Sequence, residues 1–249
     1  MTAIALVTGA SAGLGEEFAR QLSAQGKRLV LVARRKERLD ALAAELGNTR
    51  VVAADLSQPG APAGLMADIA NHDETVELLV NNSGFGLAGR FAELDEARQR
   101  EMINLNCGAL TELAHAVLPG MIDRNSGGIL NVASTAAFQP GPGMTVYFAS
   151  KAFVLSFSEA LHDEVKRHGV RVSCLCPGPT RTEFRSVSGF DPKGRLGKIS
   201  ADSQSVVRAG LRGLEHNRAV VVPGVANKII AQVHRVFPRA VMRRAARMR

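Results

Sequence analysis

Residues 3–15 read A-I-A-L-V-T-G-A-S-A-G-L-G, an apolar run that passes through a glycine-rich turn into a helical pattern. Glycines at positions 9, 13 and 15 allow a tight turn and a close approach of the backbone to a ligand. Free N–H groups and the dipole at the start of a helix favour a bound anion such as a pyrophosphate. The stretch therefore predicts a strand–turn–helix unit that binds a dinucleotide, with a plain strand-to-helix turn as the alternative.

The rest of the chain alternates between apolar runs and helical patterns. Continuous apolar runs are typical of strands in a parallel sheet that is covered on both faces. We expect strands at about Ala3–Val7, Arg28–Ala33, Arg50–Ala54, Glu77–Asn81, Gly128–Val132, Arg171–Cys176 and Ala219–Val222. We expect helices at roughly Gly13–Gln25, Lys36–Leu46, Ala63–Asn71, Ala97–Asp123, Ser150–His168 and Asp202–His216. The alternation predicts one α/β domain over residues 1–224, a doubly wound parallel sheet of about seven strands in a three-layer α/β/α arrangement.

The composition is that of an ordinary globular protein, with 46% apolar residues. No apolar run is long enough to span a bilayer and the first residues lack a leader pattern, so we expect a cytoplasmic protein. Cys107, Cys174 and Cys176 lie in apolar patterns without metal-ligand spacing. They favour buried reduced thiols, and no metal site is predicted.

The formal net charge of +8 comes mainly from the C-terminal segment, residues 225–249. This segment, which we call the basic tail, contains seven Lys or Arg, no Asp or Glu, and apolar residues at helical spacing. A basic amphipathic helix can contact an anionic membrane or an acidic carrier protein, or it can pack on its own domain or a second subunit. A basic tail by itself supports nucleic-acid binding only weakly, so we expect no nucleic-acid binding.

Two arginines follow the second predicted strand, where an NAD-binding site would hold an acidic residue. A carboxylate repels a 2′-phosphate, whereas the guanidinium groups of Arg34 and Arg35 can bind it through paired hydrogen bonds. The sequence therefore predicts NADP(H) as the cofactor. The alternative is a solvated helix start, because Lys36 and Arg38 continue the basic run.

Polar turns also follow the third and fourth predicted strands, at the next two positions along the crevice of such a sheet. The carboxylate of Asp55, which precedes Leu56, suits the amino group of adenine. The turn Asn81-Asn82-Ser83-Gly84 can satisfy its own backbone while it lines the ribose side. Each of these segments alone could be simple turn chemistry.

Tyr147 and Lys151 are four residues apart, so they share one face if the segment is helical. Such pairs also occur by chance, but Tyr147 is the only tyrosine of the chain. An ammonium about 5 Å from a phenol contributes about 3 kcal/mol at an effective dielectric constant of about 20, so we expect Lys151 to lower the pKa of Tyr147. The phenol could then protonate a carbonyl oxygen that receives a hydride. Ser134, at a predicted strand end, could hold that oxygen or simply cap a turn.

Together these motifs resemble the short-chain dehydrogenase/reductase family, and the resemblance covers essentially the entire chain. It is carried by T-G-x-x-x-G-x-G at 8–15, D-L at 55–56, N-N-x-G at 81–84 and Y-x-x-x-K at 147–151, with Ser83 where the family usually has alanine. The resemblance implies a Rossmann-like sheet and a nicotinamide cofactor whose carboxamide contacts the Pro177–Thr182 loop. It also implies a catalytic Asn106 that holds a water between Lys151 and solvent. With the basic tail, the sequence looks most like poorly characterised bacterial members.

The predicted site has three parts. Catalysis is assigned to Asn106, Ser134, Tyr147 and Lys151. Cofactor binding is assigned to Gly9, Ser11, Gly13, Leu14, Gly15, Arg34, Arg35, Asp55, Leu56, Asn82, Gly84, Tyr147, Lys151, Pro177, Gly178, Thr180 and Thr182. Substrate contacts are assigned to Phe85, Ser134, Phe138, Gln139 and Met144. Residues 183–200 could close over the substrate or form an ordinary surface loop.

The predicted activity is NADPH-dependent reduction of a ketone or aldehyde, with Tyr147 as the general acid. One alternative is reduction of 3-oxoacyl groups on an acyl carrier protein that the basic tail recognises. Another is an NADP-binding regulator without catalysis. Helices Ala97–Asp123 and Ser150–His168 have broad apolar faces and correspond to the family's usual dimer surface, so we expect a homodimer or homotetramer.

Overall fold

A computed structural model describes residues 1–184, 188–189, 201–236 and 241, and it contains a parallel sheet between two layers of helices. The strands are β1 (Thr2–Thr8), β2 (Leu29–Ala33), β3 (Thr49–Ala53), β4 (Glu74–Asn81), β5 (Gly127–Val132), β6 (Val170–Leu175) and β7 (Val220–Val221). The helices are α1 (Gly13–Ala24), α2 (Lys36–Leu46), α3 (Ala61–Asn71), α4 (Glu96–Ile103), α5 (Leu110–Asp123), α6 (Thr145–Val165), α7 (Ser203–Glu215) and α8 (Val225–Val236). The predicted α/β architecture is confirmed.

The seven strands of the sheet follow the order β3-β2-β1-β4-β5-β6-β7, and every neighbouring pair is parallel. The chain runs outward from β1 to β3, then returns to place β4 on the other side of β1 and continues to β7. The direction of winding changes between β1 and β4. Doubly wound sheets bind ligands in the crevice beyond the carboxyl ends of the strands at this point.

In the described part of the chain, α1, α2 and α7 cover one face of the sheet, and α3, α5 and α6 cover the other. Phe18 of α1 and Leu211 of α7 belong to the apolar cluster on one face, which α2 completes. Leu113 of α5 and Leu161 of α6 belong to the cluster on the other face, which α3 completes. All five residues of β2 are buried, as expected for a strand covered on both sides. The core therefore fixes the strand ends that form the crevice.

Two helical predictions differ from the structure. The helix expected over Ala97–Asp123 is interrupted by a π-helical turn, Asn104–Ala109, which joins α4 to α5. A π turn widens the helix by one residue and is often found at functional sites. The helix expected from Ser150 begins at Thr145, so Tyr147 lies in its first turn and the pair Tyr147 and Lys151 is helical.

The basic tail is described only in part. Its first residues form α8, and Ala231 of this helix is buried. Apart from Val241, residues 237–249 lie outside the described part of the chain, as do residues 185–187 and 190–200 of the expected substrate-covering segment. None of the helices in the described ranges has the length and apolar character of a membrane span.

Candidate active site

The glycine-rich turn after β1 presents backbone groups to the crevice. Gly9 and Gly13 have φ of +66° and +60°, a region that side chains disfavour. A Cβ on Gly15 would lie 2.1 Å from the carbonyl oxygen of Gly9, so only glycine allows this packing. Ala12, which precedes α1, makes no side-chain cap, and the first N–H groups of the helix are left for a ligand.

The turn after β4 is hydrogen-bonded to the glycine-rich turn. The hydroxyl of Thr8 accepts from the backbone N–H groups of Asn82 and Ser83, both at 3.0 Å. Asn82 Nδ2 donates to the carbonyl oxygens of Thr8 at 2.9 Å and Gly9 at 3.2 Å. The ends of β1 and β4 therefore form one rigid wall. The role of Thr8 was missed in the sequence, although it begins the matched motif.

A cavity of about 660 Å³ lies above these strand ends. Its lining includes most of the predicted residues: Gly9, Ser11, Gly13, Leu14, Arg34, Arg35, Asp55, Leu56, Asn82, Gly84, Phe85, Ser134, Gln139, Met144, Tyr147, Lys151, Pro177, Gly178, Thr180 and Thr182. Gly15, Asn106 and Phe138 do not line it. Gly15 serves the turn, and Phe138 instead packs beside the apolar cluster around Leu110 and Val154.

The two arginines after β2 have different partners. Arg34 Nη1 lies 3.1 Å from Glu101 Oε1 and 4.0 Å from Asp55 Oδ2. Arg35 Nε donates to Ser11 Oγ at 3.2 Å, and its Nη1 lies 3.0 Å from Glu183 Oε2. Arg35 therefore joins the glycine-rich turn to Glu183, whereas Arg34 faces the carboxylates of Glu101 and Asp55.

Asp55 is held as a carboxylate at the cavity wall. Burial acts to raise its pKa, but hydrogen bonds from Ser57 and the charge of Arg34 outweigh burial and lower the pKa. Its Oδ1 accepts from the hydroxyl of Ser57 at 2.7 Å and from the backbone N–H at 3.1 Å. The carboxylate is therefore charged and fixed at neutral pH, and its other oxygen is directed toward Arg34.

Tyr147, Lys151 and Ser134 meet at one part of the cavity wall. Lys151 Nζ lies 5.9 Å from the centre of the Tyr147 ring and donates to the carbonyl oxygen of Val132 at 2.9 Å. The hydroxyl of Ser134 is near enough to the phenol to lower its pKa, and it accepts from the N–H of Ala136 at 3.1 Å and donates to the carbonyl oxygen of Pro177 at 3.5 Å. The three predicted side chains are thus brought together by α6 and by the end of β5.

The predicted lowering of the pKa of Tyr147 is wrong, because the pKa is raised. Burial raises the pKa of Tyr147 to about 12, and the hydrogen bond with Ser134 lowers it only in part. Burial also lowers the pKa of Lys151 to about 8, against the influence of the neighbouring thiols of Cys174, Cys107 and Cys176. Loss of water is the largest effect on both groups, and the expectation from charge attraction alone did not include it.

Asn106 fixes the backbone of a cavity residue. Its Oδ1 accepts from the N–H of Phe85 at 3.1 Å, and its Nδ2 donates to the Phe85 carbonyl and to Ser150 Oγ, both at 3.0 Å. A Cβ on Gly84 would lie 2.8 Å from Asn106 Oδ1 and 3.4 Å from Lys151 Nζ, so the glycine is needed here. The predicted role in holding a water stays a prediction.

Apolar side chains form the wall around the phenol. Phe85, Met144 and Tyr147 are buried together, and Phe148 and Phe184 pack against them. The ring centres of Phe184 and Tyr147 are 5.2 Å apart. Sequence reasoning placed Phe184 in the segment that covers the substrate and missed its contact with the catalytic tyrosine. Its position just after the Pro177–Thr182 loop was the available signal.

A sequence profile of the family described as short chain dehydrogenase matches residues 3–191, well over half of the chain. The chain belongs to the short-chain dehydrogenase/reductase family. The predicted resemblance is therefore confirmed, and this short-chain dehydrogenase is an oxidoreductase with the Rossmann-like fold of its family.

Similar proteins support this placement. The NADP-dependent 3-hydroxy acid dehydrogenase YdfG of Salmonella typhi is 41% identical over 195 residues, which are 76% of this short-chain dehydrogenase and 79% of that protein. A solved short-chain dehydrogenase from Sphingobium yanoikuyae in complex with NADPH is 34% identical with a TM-score of 0.83, covering 90% of this chain and 89% of that one. The bulky-bulky ketone specific alcohol dehydrogenase of Comamonas testosteroni is 33% identical with a TM-score of 0.78, covering 90% and 87%.

Proposed function

We propose that this protein is an NADPH-dependent oxidoreductase that reduces a ketone or an aldehyde. The observation that carries the proposal is the meeting of Tyr147, Lys151 and Ser134 in one cavity that the glycine-rich turn also lines. A proton donor, a cation and a hydrogen-bonding hydroxyl beside a dinucleotide crevice form the set that carbonyl reduction requires.

The residues present fit an NADP(H) molecule. The backbone at Gly9 and Gly13 and the uncapped start of α1 suit a pyrophosphate, and Arg35 beside Ser11 suits a 2′-phosphate. The charged Asp55 carboxylate suits the amino group of adenine. Reduced nicotinamide would supply the hydride. NADP-dependent and NADPH-bound relatives support the same choice of cofactor.

Residues of the chain itself would donate the proton and stabilise the group that loses it. The pKa of Tyr147, about 12, means that its hydroxyl is protonated at neutral pH and can donate to an oxygen that gains negative charge. Ser134 would hold that oxygen beside the phenol. Lys151, whose pKa is about 8, is mostly charged at neutral pH and favours the phenolate that remains.

The wall around Tyr147 favours an apolar substrate. Phe85, Met144, Phe148 and Phe184 surround the phenol, and a carbonyl compound with apolar substituents would bury area against them. Among the named relatives, the ketone-specific alcohol dehydrogenase is closer to this chemistry than a 3-hydroxy acid dehydrogenase. We therefore propose an uncharged ketone or aldehyde with bulky apolar groups.

The test is a panel of ketones and aldehydes with NADPH, followed through NADPH absorbance. We expect Tyr147→Phe to lower kcat/KM by at least about 100-fold, because it removes the proton donor. The variant should bind NADPH about as well as the wild type, which serves as the control for folding. A variant that retains most of the activity, or a clear preference of the wild type for NADH over NADPH, contradicts the proposal.

Two partner surfaces are also proposed. Phe153 and Phe157 stack on α6 with ring centres 6.0 Å apart, and Phe153 is 44% exposed. This face supports a homodimer or homotetramer through α5 and α6. The basic tail is proposed to contact an anionic membrane surface. Its contact with a carrier protein stays a prediction, as does the cytoplasmic location of the protein.

A further inference from the structure

Glu183 lies between Arg35, which lines the cofactor end of the cavity, and Arg38 of α2. Its Oε2 is 3.0 Å from Arg35 Nη1, and its Oε1 is 2.7 Å from Arg38 Nη1. Arg38 first and Arg35 second hold the pKa of this carboxyl below its usual range, so the group is an anion at neutral pH. One carboxylate therefore bridges two guanidinium groups at the start of α2.

The guanidinium group of Arg35 is also the group that suits the 2′-phosphate of NADP(H). Arg35 also donates to Ser11 of the glycine-rich turn, so it lies where the adenosine end of NADP(H) is proposed to bind. Carboxylate and phosphate oxygens use the same guanidinium N–H groups. The carboxylate of Glu183 and a 2′-phosphate would therefore compete for Arg35 and Arg38.

The side chain of Phe184, the residue next to Glu183, contacts the catalytic part of the site and not the arginines. Phe184 packs on the Tyr147 ring, and its Cζ is 2.8 Å from the position that a Cβ on Gly86 would take. Adjacent residues are connected by a Cα–Cα distance of about 3.8 Å, so an ion pair that fixes Glu183 restricts Phe184 as well. The apolar wall around Tyr147, which we call the substrate wall, is thus connected through Phe184 and Glu183 to the arginines at the start of α2.

We propose that Glu183 is an intramolecular competitor of the 2′-phosphate and couples cofactor binding to the substrate wall. The inference rests on the proposed NADPH dependence. In the free enzyme Glu183 pairs with Arg35 and Arg38 and keeps Phe184 against Tyr147. The 2′-phosphate displaces the carboxylate and releases Phe184, so the carbonyl substrate binds after the cofactor. NAD(H), which has no 2′-phosphate, leaves the ion pairs in place.

The first experiment measures the affinity of Glu183→Gln and the wild type for NADP⁺ and NAD⁺ by calorimetry. We expect NADP⁺ to bind about threefold to fivefold more tightly to the variant, the size that exposed ion pairs support. NAD⁺ should bind both proteins equally. Glu93→Gln is the matched control, because Glu93 forms an exposed pair with Arg90 at 3.2 Å outside the cavity lining.

The outcomes separate this inference from the proposed function. Equal affinity of the wild type for NAD⁺ and NADP⁺ would overturn the proposed cofactor. A preserved NADP⁺ preference with unchanged affinity in Glu183→Gln would overturn only the competitor role. A variant that binds both coenzymes more tightly would also overturn it, because the effect would not depend on the 2′-phosphate.

A second readout uses Tyr147, the only tyrosine of a chain without tryptophan. Its emission depends on its surroundings, which include the Phe184 ring with its centre 5.2 Å away. The probes are 2′,5′-ADP, which carries the 2′-phosphate without nicotinamide, and 5′-AMP, which lacks the 2′-phosphate. We expect 2′,5′-ADP alone to change the emission of the wild type, and neither probe to change that of Phe184→Ala. Equal responses to the two probes, or no response to 2′,5′-ADP, would overturn the coupling.

Discussion

At the scale of single residues, burial decides the protonation of the reacting pair. Tyr147 and Lys151 lose water on folding, and burial favours the uncharged form of each group. It raises the pKa of the phenol to about 12 and lowers the pKa of the amine to about 8. The phenol therefore keeps its proton at neutral pH, as the proposed role of proton donor requires. Most of the lysine remains charged.

This protonation predicts an unusual titration of the chain's single tyrosine. At about pH 11 the tyrosinate absorbance of the native protein should be small, while the denatured chain, with a pKa of about 10, is mostly ionised. Because the folded pKa is raised, stability from the neutral phenol is complete below pH 10 and is lost as pH rises toward about 12. Over this pH range the free energy of unfolding of the wild type should fall by up to about 3 kcal/mol more than that of Tyr147→Phe, which has no phenol to ionise.

The measurement is an absorbance titration of native and denatured protein, with Tyr147→Phe as the blank. A native midpoint at or below that of the denatured chain would show that the charge of Lys151, and not burial, controls the phenol. That result would restore the expectation drawn from the sequence.

At the scale of elements, local spacing was enough to predict some parts of the site. The glycine positions in the turn after β1 and the four-residue separation of Tyr147 and Lys151 are local features, and both appear as expected. The π-helical turn at Asn104–Ala109 and the packing of Phe184 on Tyr147 depend on partners distant in sequence. Periodicity could not reveal them, because an asparagine in a helix reads as an ordinary exposed residue.

The π-helical turn predicts a large difference between its two asparagines. Asn106→Ala removes three hydrogen bonds and leaves the buried N–H and carbonyl of Phe85 without that partner. We expect the free energy of unfolding to fall by about 2–4 kcal/mol, and KM for the ketone to rise because Phe85 lines the cavity. Urea unfolding measures the first effect and steady-state kinetics the second.

Asn104→Ala is the matched control, since Asn104 is exposed in the same turn. Its free energy of unfolding should stay within about 0.5 kcal/mol of the wild type. Equal stability of the two variants would mean that Asn106 does not fix the cavity wall.

At the scale of the whole molecule, positive charge is concentrated at one end of the chain. Residues 225–249 contain seven basic and no acidic side chains, while the rest is nearly balanced. Ala231 of α8 is buried, and a Cβ on Gly178 would lie 2.4 Å from Asn227 Oδ1, so the helix is anchored beside the cavity. A surface that attracts the basic tail would therefore lie near the substrate wall.

The exposed face of α8 predicts binding to anionic vesicles. Val225 and Ile229, 74% and 62% exposed, are four residues apart and lie on one side of the helix. Such apolar side chains beside lysine and arginine insert at the headgroup boundary of anionic lipid.

We expect the wild type to float with phosphatidylglycerol vesicles but not with phosphatidylcholine vesicles. The double variant Val225→Glu, Ile229→Glu should lose flotation while its unfolding and its NADPH affinity stay unchanged. Phe91→Glu, which changes an exposed apolar residue outside the tail, should still float. Unchanged flotation of the double variant, or no flotation of the wild type, would assign α8 to contacts within the protein or with a second subunit.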